Sequence, residues 1–425
     1  LKLDSGPPLF YLAEKPFAAW AEAARFDPVV RLPSFVAALL LFAFASRLTG
    51  TAARAVFVAL AASSPLLFVY AAEARAYALL SLLALSLFLL CFGEEERFTA
   101  ARFIAAAGVT ALALGTHYLA IFVLAAAAIW LAVRRRWKPL AAGLAGGALF
   151  LPWIPVLRSQ PEEAIAWMRE PAGSSLFGFL SALGGAGRIP GPLGGPLPAP
   201  LTWAGAAAGL ALVLVLARHA LRDGGVADAL ALALLPMALV LAASGLRPIA
   251  FAGRSEMAVL PVWLWAVSRG AQTSRAVRWL AVAAAGVGIA SSLTLLVPRA
   301  GEAAALSATA EVVRSAGPGD AVIAAAAFYL PARLAKDRGR LQATLTALPS
   351  ELALHPGWIS ARPLDARDEE SIEAVLSGLA PGRRAFLLAH PVLVTPRILS
   401  LFARCATTTP LANRPDALVL ACTAR

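Results

Sequence analysis

Charge is scarce in this chain. Of its 425 residues only 15% are Asp, Glu, Lys or Arg, while 60% are hydrophobic. A soluble globular chain is closer to half apolar and a quarter charged, so a freely soluble enzyme is excluded at the outset. Cysteine is rare, at three residues, and so is histidine, at four. No second His lies near His117 in sequence, so a zinc site is not proposed. No Gly-rich phosphate loop, Cys-x-x-Cys pair or His-Glu-x-x-His sequence is present, which leaves nucleotide, dithiol and zinc-peptidase chemistry without a motif. No signal peptide is visible. The chain opens at Leu1 in loop-like sequence, and a further N-terminal segment is expected to precede it.

What the chain has instead is a succession of apolar runs, the mark of a polytopic membrane protein. Ten are expected: roughly 32–48, 53–70, 76–92, 102–115, 118–133, 139–157, 201–217, 226–246, 255–268 and 279–297. Several fall short of the ~20 residues a full span needs. The stretch 102–133 is divided at "GTHY", Gly115 to Tyr118, because one unbroken helix would be too long. The division also puts "GEEERFTAAR" and "RRRWK" on the same side.

The net charge of +12 does not point to nucleic acid, because the basic residues sit between the apolar runs, where orientation signals lie. Thirteen Lys and Arg fall on one side, from Arg47 and Arg54 through Arg134–Lys138 to Arg275 and Arg278. The short loops of the other side hold three: Arg75, Arg247 and Arg254. The richer side is expected to be cytoplasmic. Segment 1–31, the loop 158–200 and everything after about 298 then face outward.

On that outer side lies "VYAAEARAYALL", Val69 to Leu80, which carries Tyr70, Glu73, Arg75 and Tyr77 between apolar runs. Charges near hydrocarbon are costly and usually functional. An interfacial ion pair that merely fixes a turn is the structural reading. An anion site beside an acid is the functional one, because Arg247, Arg254, Asp4, His117 and Tyr118 fall on the same face. Segment 1–31 reads as one or two interfacial helices with aromatics at headgroup depth, or as a plain connection. The loop 158–200 reads as a lid over a lipid-facing groove or as a spacer. Its middle, "SSLFGFLSALGG", is apolar enough to re-enter the membrane or lie on it.

In order, the chain carries "DSGPPLFYL", "FDPVVRLPS", "SSPLLFVYAAEARAYAL", "GTHYLAIFV", "LFLPWIPVL" and "RPIAFAGR". This series resembles the membrane-embedded GT-C class of glycosyltransferases, in particular the family 39-like group related to protein mannosyltransferases and aminoarabinose transferases. The resemblance covers about residues 1–300. The family's His before Pro7-Pro8 is Gly6 here, its Gln before Glu73 is Ala72, and its Tyr after the late Arg is Ser255. Its acidic pair after a first transmembrane helix would precede Leu1. The resemblance implies an inverting sugar transfer from a polyprenyl-phosphate donor to an unknown acceptor on the outer face of the cell membrane. It assigns Asp4 and Glu73 as catalytic carboxylates, and Arg75, Tyr77, His117, Tyr118 and Arg254 as substrate-binding residues. No cofactor is evident. A divalent metal is used by some enzymes of this class and not by others.

The expected fold is therefore mainly α: a polytopic transmembrane helical bundle of GT-C type over 1–297, with a small α/β extracytoplasmic domain over 298–425. In that second part "TAEVVRSAGPGDAVIAAAAF" reads as helix, turn and strand, "RRAFLLAH" and "DALVLACTAR" as strands, and "DARDEESIEAVLSGLAPG" as an amphipathic helix with an acidic start. It reads as a stabilising or acceptor-recognition module. Cys405 and Cys422 fall there, where an oxidising compartment would allow a disulfide. A lipid or solute transporter predicts polar groups at mid-membrane and internal repeats, neither of which stands out. A non-catalytic membrane scaffold is the other alternative.

Overall fold

The structure is a computed structural model. It describes residues 6–24, 26–93, 98–159, 172–187, 197–246, 249–296, 300–353, 364–414 and 417–424. The chain divides into two compact units, Leu1–Leu296 and Val297–Arg425.

The elements of the first unit are helices among the described residues. Its helices are α1 (Pro8–Ala24), α2 (Leu32–Ala43), α3 (Thr51–Ser63), α4 (Pro65–Ala72), α5 (Tyr77–Phe92), α6 (Ala100–Thr116), α7 (Ala120–Val133), α8 (Trp137–Ala148), α9 (Ile154–Arg158), α10 (Ala172–Leu183), α11 (Ala199–Ala220), α12 (Gly224–Ser244), α13 (Leu260–Thr273) and α14 (Arg275–Thr294). Local chemistry starts them. Ser64, Thr99, Asp223 and Ser274 each accept a hydrogen bond from a backbone amide of the first turn they cap, which satisfies donors the helix itself cannot.

Each of the ten expected segments is helical, but their lengths differ from the expectation. Among the described residues five stretches are long and apolar enough to cross a membrane: Pro28–Arg47, Trp137–Arg158, Ala199–Ala220, Gly224–Ser244 and Arg275–Thr294. A sixth is the pair α3 and α4, bent by 60°. The bend falls at Ser64-Pro65, where proline bars the preceding residue from helical geometry. The shorter α5 and α13 are buried over most of their faces; α5 is apolar all round, as expected of a buried helix. Neighbouring helices sheathe them, so their interior positions need not read out a full span.

The middle of the loop 158–200 is neither a surface lid nor a spacer. Helix α10 packs against α11 so closely that a methyl group on Gly184 would collide with the Gly205 carbonyl. Gly185, at φ +97°, lies equally close to the Ala284 carbonyl of α14. The buried Trp263 of α13 donates its indole N–H to the Leu183 carbonyl at 2.9 Å. This piece is therefore part of the bundle. Residues 160–171 and 188–196 of the same loop lie outside the described set.

The second unit is an α/β layer structure. Strands β1 (Ala321–Ala325), β2 (Thr344–Leu348), β3 (Arg384–Ala389), β4 (Thr407–Arg414) and β5 (Ala417–Thr423) form one sheet in the order β2-β1-β3-β5-β4. β1 runs parallel to β2 and β3, whereas β5 runs antiparallel to β3 and β4. Helices α15 (Ala300–Ser315) and α16 (Tyr329–Asp337) cover one face, and α17 (Ala366–Ser377) and α18 (Pro396–Ala403) the other. β1 is buried along its whole length, which is why it reads as an unbroken apolar run. The acidic start of α17 is a capping box, with Asp365 and Asp368 each accepting the other's backbone amide. Cys405 and Cys422 are joined in a disulfide.

Candidate functional site

The turn between α4 and α5 is three-sided. Glu73 ends α4 in extended geometry, at φ −100° and ψ 140°. Its carbonyl accepts from the Arg75 amide at 2.9 Å, and its carboxylate lies 3.3 Å from Arg75 Nε. The turn does not stand alone. Ser34, in the first turn of α2, donates its hydroxyl to the Arg75 carbonyl at 2.9 Å and lies 3.4 Å from the Arg75 amide. The serine of "RLPS" thus clamps the turn that carries Glu73 and Arg75. Arg31, one turn earlier, is near enough for its charge to act on Glu73.

A second loop meets this turn. Residues 251–258 link α12 to α13 around Gly253, whose φ of +89° suits glycine. The buried Glu256 carboxylate accepts the Gly253 amide at 2.8 Å, and Ser255 Oγ accepts the Phe251 amide at 3.1 Å. Two bonds fasten the loop to the helices on either side of Glu73. Tyr70 of α4 donates to the Gly253 carbonyl at 2.7 Å, and Ser81 of α5 donates to the Met257 carbonyl at 2.5 Å. The loop presents Arg254, whose guanidinium lies 5.1 Å from the Phe251 ring centre. Arg254 also hydrogen-bonds the Tyr77 side chain, and its charge acts on Glu73 and His117.

Three rings back these charges. Tyr70 and Tyr77 lie 4.6 Å apart between centres, and Tyr77 and His117 4.8 Å. His117 sits in the turn after α6, where its Nδ1 accepts the Leu119 amide at 3.1 Å. That bond leaves the proton of the neutral ring on Nε2. Burial, reinforced by the Arg254 charge, lowers the His117 pKa to about 4, so the ring is neutral at physiological pH. Burial also raises the Glu73 pKa, against the opposing charges of Arg75, Arg254 and Arg31.

The structure therefore brings together Glu73, Arg75, Tyr77, His117 and Arg254. It adds Arg31, Ser34, Tyr70 and Glu256, of which only Tyr70 is singled out by its sequence position. Arg31 and Ser34 are legible only through the "RLPS" motif, and Glu256 carries no sequence signal. Tyr118 serves the neighbouring side of the turn, where its hydroxyl accepts the Trp153 indole at 3.1 Å and its ring meets Phe150. Asp4 and Arg247 lie outside the described residues. Helix α1 covers this end of the bundle: Leu9 packs on Gly115, two residues before His117. Phe10 and Ala21 are buried while Tyr11, Leu12 and Trp20 are exposed, a pattern suited to an interfacial helix. It is one helix with a following 3-10 turn over Asp27–Arg31.

Chemically, Arg75 pairs with Glu73, the charges of Arg254 and Arg31 act on the same carboxylate, and a second carboxylate, Glu256, lies in the loop of Arg254. Such a surface suits an anion with several oxygens, since arginine offers a fixed fork of donors and keeps its charge. Among the described residues no three of His, Cys, Asp and Glu gather as ligands.

No protein-family model matches the sequence, and no curated protein matches it. A solved structure does match in fold, and the fold is of GT-C type. It is similar to ArnT from Cupriavidus metallidurans in the apo state, with a TM-score of 0.58 at 12% identity, over 99% of this chain and 88% of that one. The structure of the same ArnT bound to undecaprenyl phosphate aligns with a TM-score of 0.47 at 15% identity, over 98% and 88% of the two chains. The chain is thus a multi-pass membrane protein with a GT-C bundle and a small α/β unit.

Proposed function

We propose that this chain is an integral membrane glycosyltransferase that moves a sugar from a polyprenyl-phosphate carrier to an acceptor hydroxyl. The observation that carries this reading is the Glu73–Arg75 pair, clamped by Ser34 and met by the Arg254 loop that Tyr70 and Ser81 fasten, in a chain of GT-C fold. In the reaction the acceptor oxygen attacks the anomeric carbon from the side opposite the phosphate. The carbon–oxygen bond to phosphate breaks, and its electron pair stays on the departing polyprenyl phosphate. Arg75 and Arg254 stabilise that charge, which grows in the transition state. The acceptor proton goes to a carboxylate base, a role assigned to Asp4. Glu73, tied to Arg75, is a positioning residue that also offers an oxygen to a sugar hydroxyl. His117, neutral and buried, backs Tyr77 and keeps a second positive charge out of the ring stack.

The Lys and Arg asymmetry supports an extracytoplasmic site. The Cys405–Cys422 bond supports an oxidising compartment for the second unit. A flipped lipid-linked sugar carries its own activated phosphate to that side, where nucleotide sugars are absent. The test is transfer by the full-length protein in liposomes from radiolabelled polyprenyl-phosphate hexoses and pentoses. Transfer by the wild type, lost in Arg75→Ala and Asp4→Asn with folding intact, is expected. Transfer from a UDP- or GDP-sugar alone would sink the proposal, and no transfer from any donor would favour a transporter or scaffold.

A further inference from the structure

A groove runs along α8, walled by α5, α6 and α7 as well, with a volume of about 390 Å³. On the α8 side its lining reaches from Pro139 to Leu151. At ~1.5 Å per residue that is a length of about 18 Å. Volume over length gives a cross-section of about 22 Å². Apolar chains in contact lie about 4.5 Å apart, so one extended chain needs about 20 Å². The groove is one hydrocarbon chain wide.

Small residues make the room. Gly143 and Gly147 line the groove with nothing within 4 Å of the place a Cβ would take, and Ala127 and Ala128 line the α7 side. Gly146 between the two glycines is different, because a methyl there would collide with the Ala107 carbonyl of α6. Gly146 thus holds α8 against α6, whereas Gly143 and Gly147 keep space open. Each of those two costs the helix about 1 kcal/mol relative to alanine, and no close packing in the described structure requires it. Leu144 and Leu151 line the groove and are exposed. It therefore opens sideways, on the surface that a membrane chain turns to hydrocarbon. Left empty, its apolar walls would forfeit their dispersion contacts.

One hydroxyl interrupts this lining. Thr110 of α6 lines the groove, is fully buried, and has no hydrogen-bond partner for its Oγ among the described residues. Thr116 of the same helix and Ser86 of α5 each donate to the carbonyl four residues earlier, at 2.7 Å. Thr110 leaves that bond unmade. It stands level with Gly146, whose added Cβ would meet the Thr110 Cβ at 2.7 Å. Thr110 is therefore about 10 Å along the groove from Pro139. Trp137, exposed beside Pro139, marks headgroup depth at that end. A lipid chain with its ester near Pro139 advances ~1.25 Å per methylene, given a carbon–carbon bond of ~1.5 Å. About eight carbons on, in mid-chain, it reaches Thr110. That is where a cis-monounsaturated acyl chain carries its double bond, whose π electrons are a weak acceptor for the hydroxyl.

We propose that this groove holds one cis-monounsaturated acyl chain of a membrane phospholipid, its double bond against Thr110. A prenyl chain is methyl-branched along its length and needs a wider slot. The groove shares no residue with the Glu73 site, and the proposal stands whether or not transfer occurs. The test offers the purified full-length chain equimolar phosphatidylcholines of equal chain length, one saturated and one cis-monounsaturated. Retained lipid is counted by native mass spectrometry. Wild type is expected to keep one more lipid than Gly143→Leu or Ala128→Leu, each of which fills the groove. The unsaturated lipid is expected to be enriched about threefold, as a weak bond allows. Thr110→Val keeps the shape and removes the hydroxyl, so it should keep the lipid and lose the enrichment. Thermal unfolding checks that the variants fold, and the wild-type enrichment needs none of them. Equal lipid counts in wild type and the filled variants would overturn the proposal. So would equal retention of the two lipids by wild type, or enrichment that survives Thr110→Val. Preferential retention of a polyprenyl phosphate, lost on filling the groove, would assign it to a prenyl chain and overturn the proposal too.

Discussion

Removing one oxygen atom tests how the candidate site is held. Tyr70→Phe deletes the hydroxyl that donates to the Gly253 carbonyl at 2.7 Å and leaves the ring in place. The bond is buried and spans from α4 to the Arg254 loop. A net hydrogen bond is worth about 1 kcal/mol, and a buried acceptor left unpaired adds to the loss, so about 1–3 kcal/mol of stability is expected to go. The second effect is on function. Gly253 precedes Arg254, and the Ser81 bond to Met257 fastens the other end of the loop. If Arg254 is aimed at the donor phosphate by this loop, a misplacement that costs about 1.4 kcal/mol in the transition state lowers kcat/KM tenfold. The assay pairs thermal unfolding in detergent with transfer kinetics in liposomes. A fall in both is expected. A lower melting temperature with unchanged kcat/KM would show that the bond stabilises the bundle without aiming Arg254. No change in either would refute the reasoning altogether.

Three further outcomes are expected. His117 is held neutral down to about pH 4, below its unfolded value, so its contribution is complete above pH ~6.5 and is lost as pH falls toward 4. That loss is about 3 kcal/mol. His117→Asn, which keeps an acceptor for the Leu119 amide, should flatten that part of a stability–pH curve measured by unfolding. Gly184→Ala drives a methyl into the Gly205 carbonyl and should cost about 1–3 kcal/mol. Gly143→Ala, on a helix face with nothing near it, should instead gain up to about 1 kcal/mol, and melting curves of the two separate the effects. In the second unit, burial alone would raise the Asp320 pKa, but bonds from the Gly317 and Arg384 amides and the Arg384 guanidinium lower it overall. Its contribution is therefore present above the ordinary Asp range and lost on acidification through the lowered value. Asp320→Asn should speed hydrogen exchange at Val322–Ala324 at neutral pH.

Much of the fold was legible because apolar runs and breakers act locally. "GTHY" marked the turn after α6, and the acidic opening of α17 marked its cap. β1, β3 and β5 were visible because buried strands are continuous apolar runs. β2 and β4 were not. They are the two edge strands, and "TTTPLANR" carries a proline and little alternation, as an edge tolerates. The α10 segment was ambiguous for a similar reason. Its apolar composition fits a surface or a re-entrant helix alike, and only the glycine contacts with α11 and α14 show that it packs into the bundle.

The candidate site divides the same way. Composition and order alone determined the membrane class, the helical runs, and the presence of Glu73, Arg75, His117 and Arg254 at segment ends. Hydrophobicity and chain breaks are properties of neighbours in sequence, so a single chain declares them. Tertiary structure decided which of those residues meet. Tyr70 and Gly253 are 183 residues apart, and Ser34 and Arg75 are 41 apart. Hydrogen bonds of a few ångströms between such distant positions depend on how the helices pack, and no local pattern encodes them.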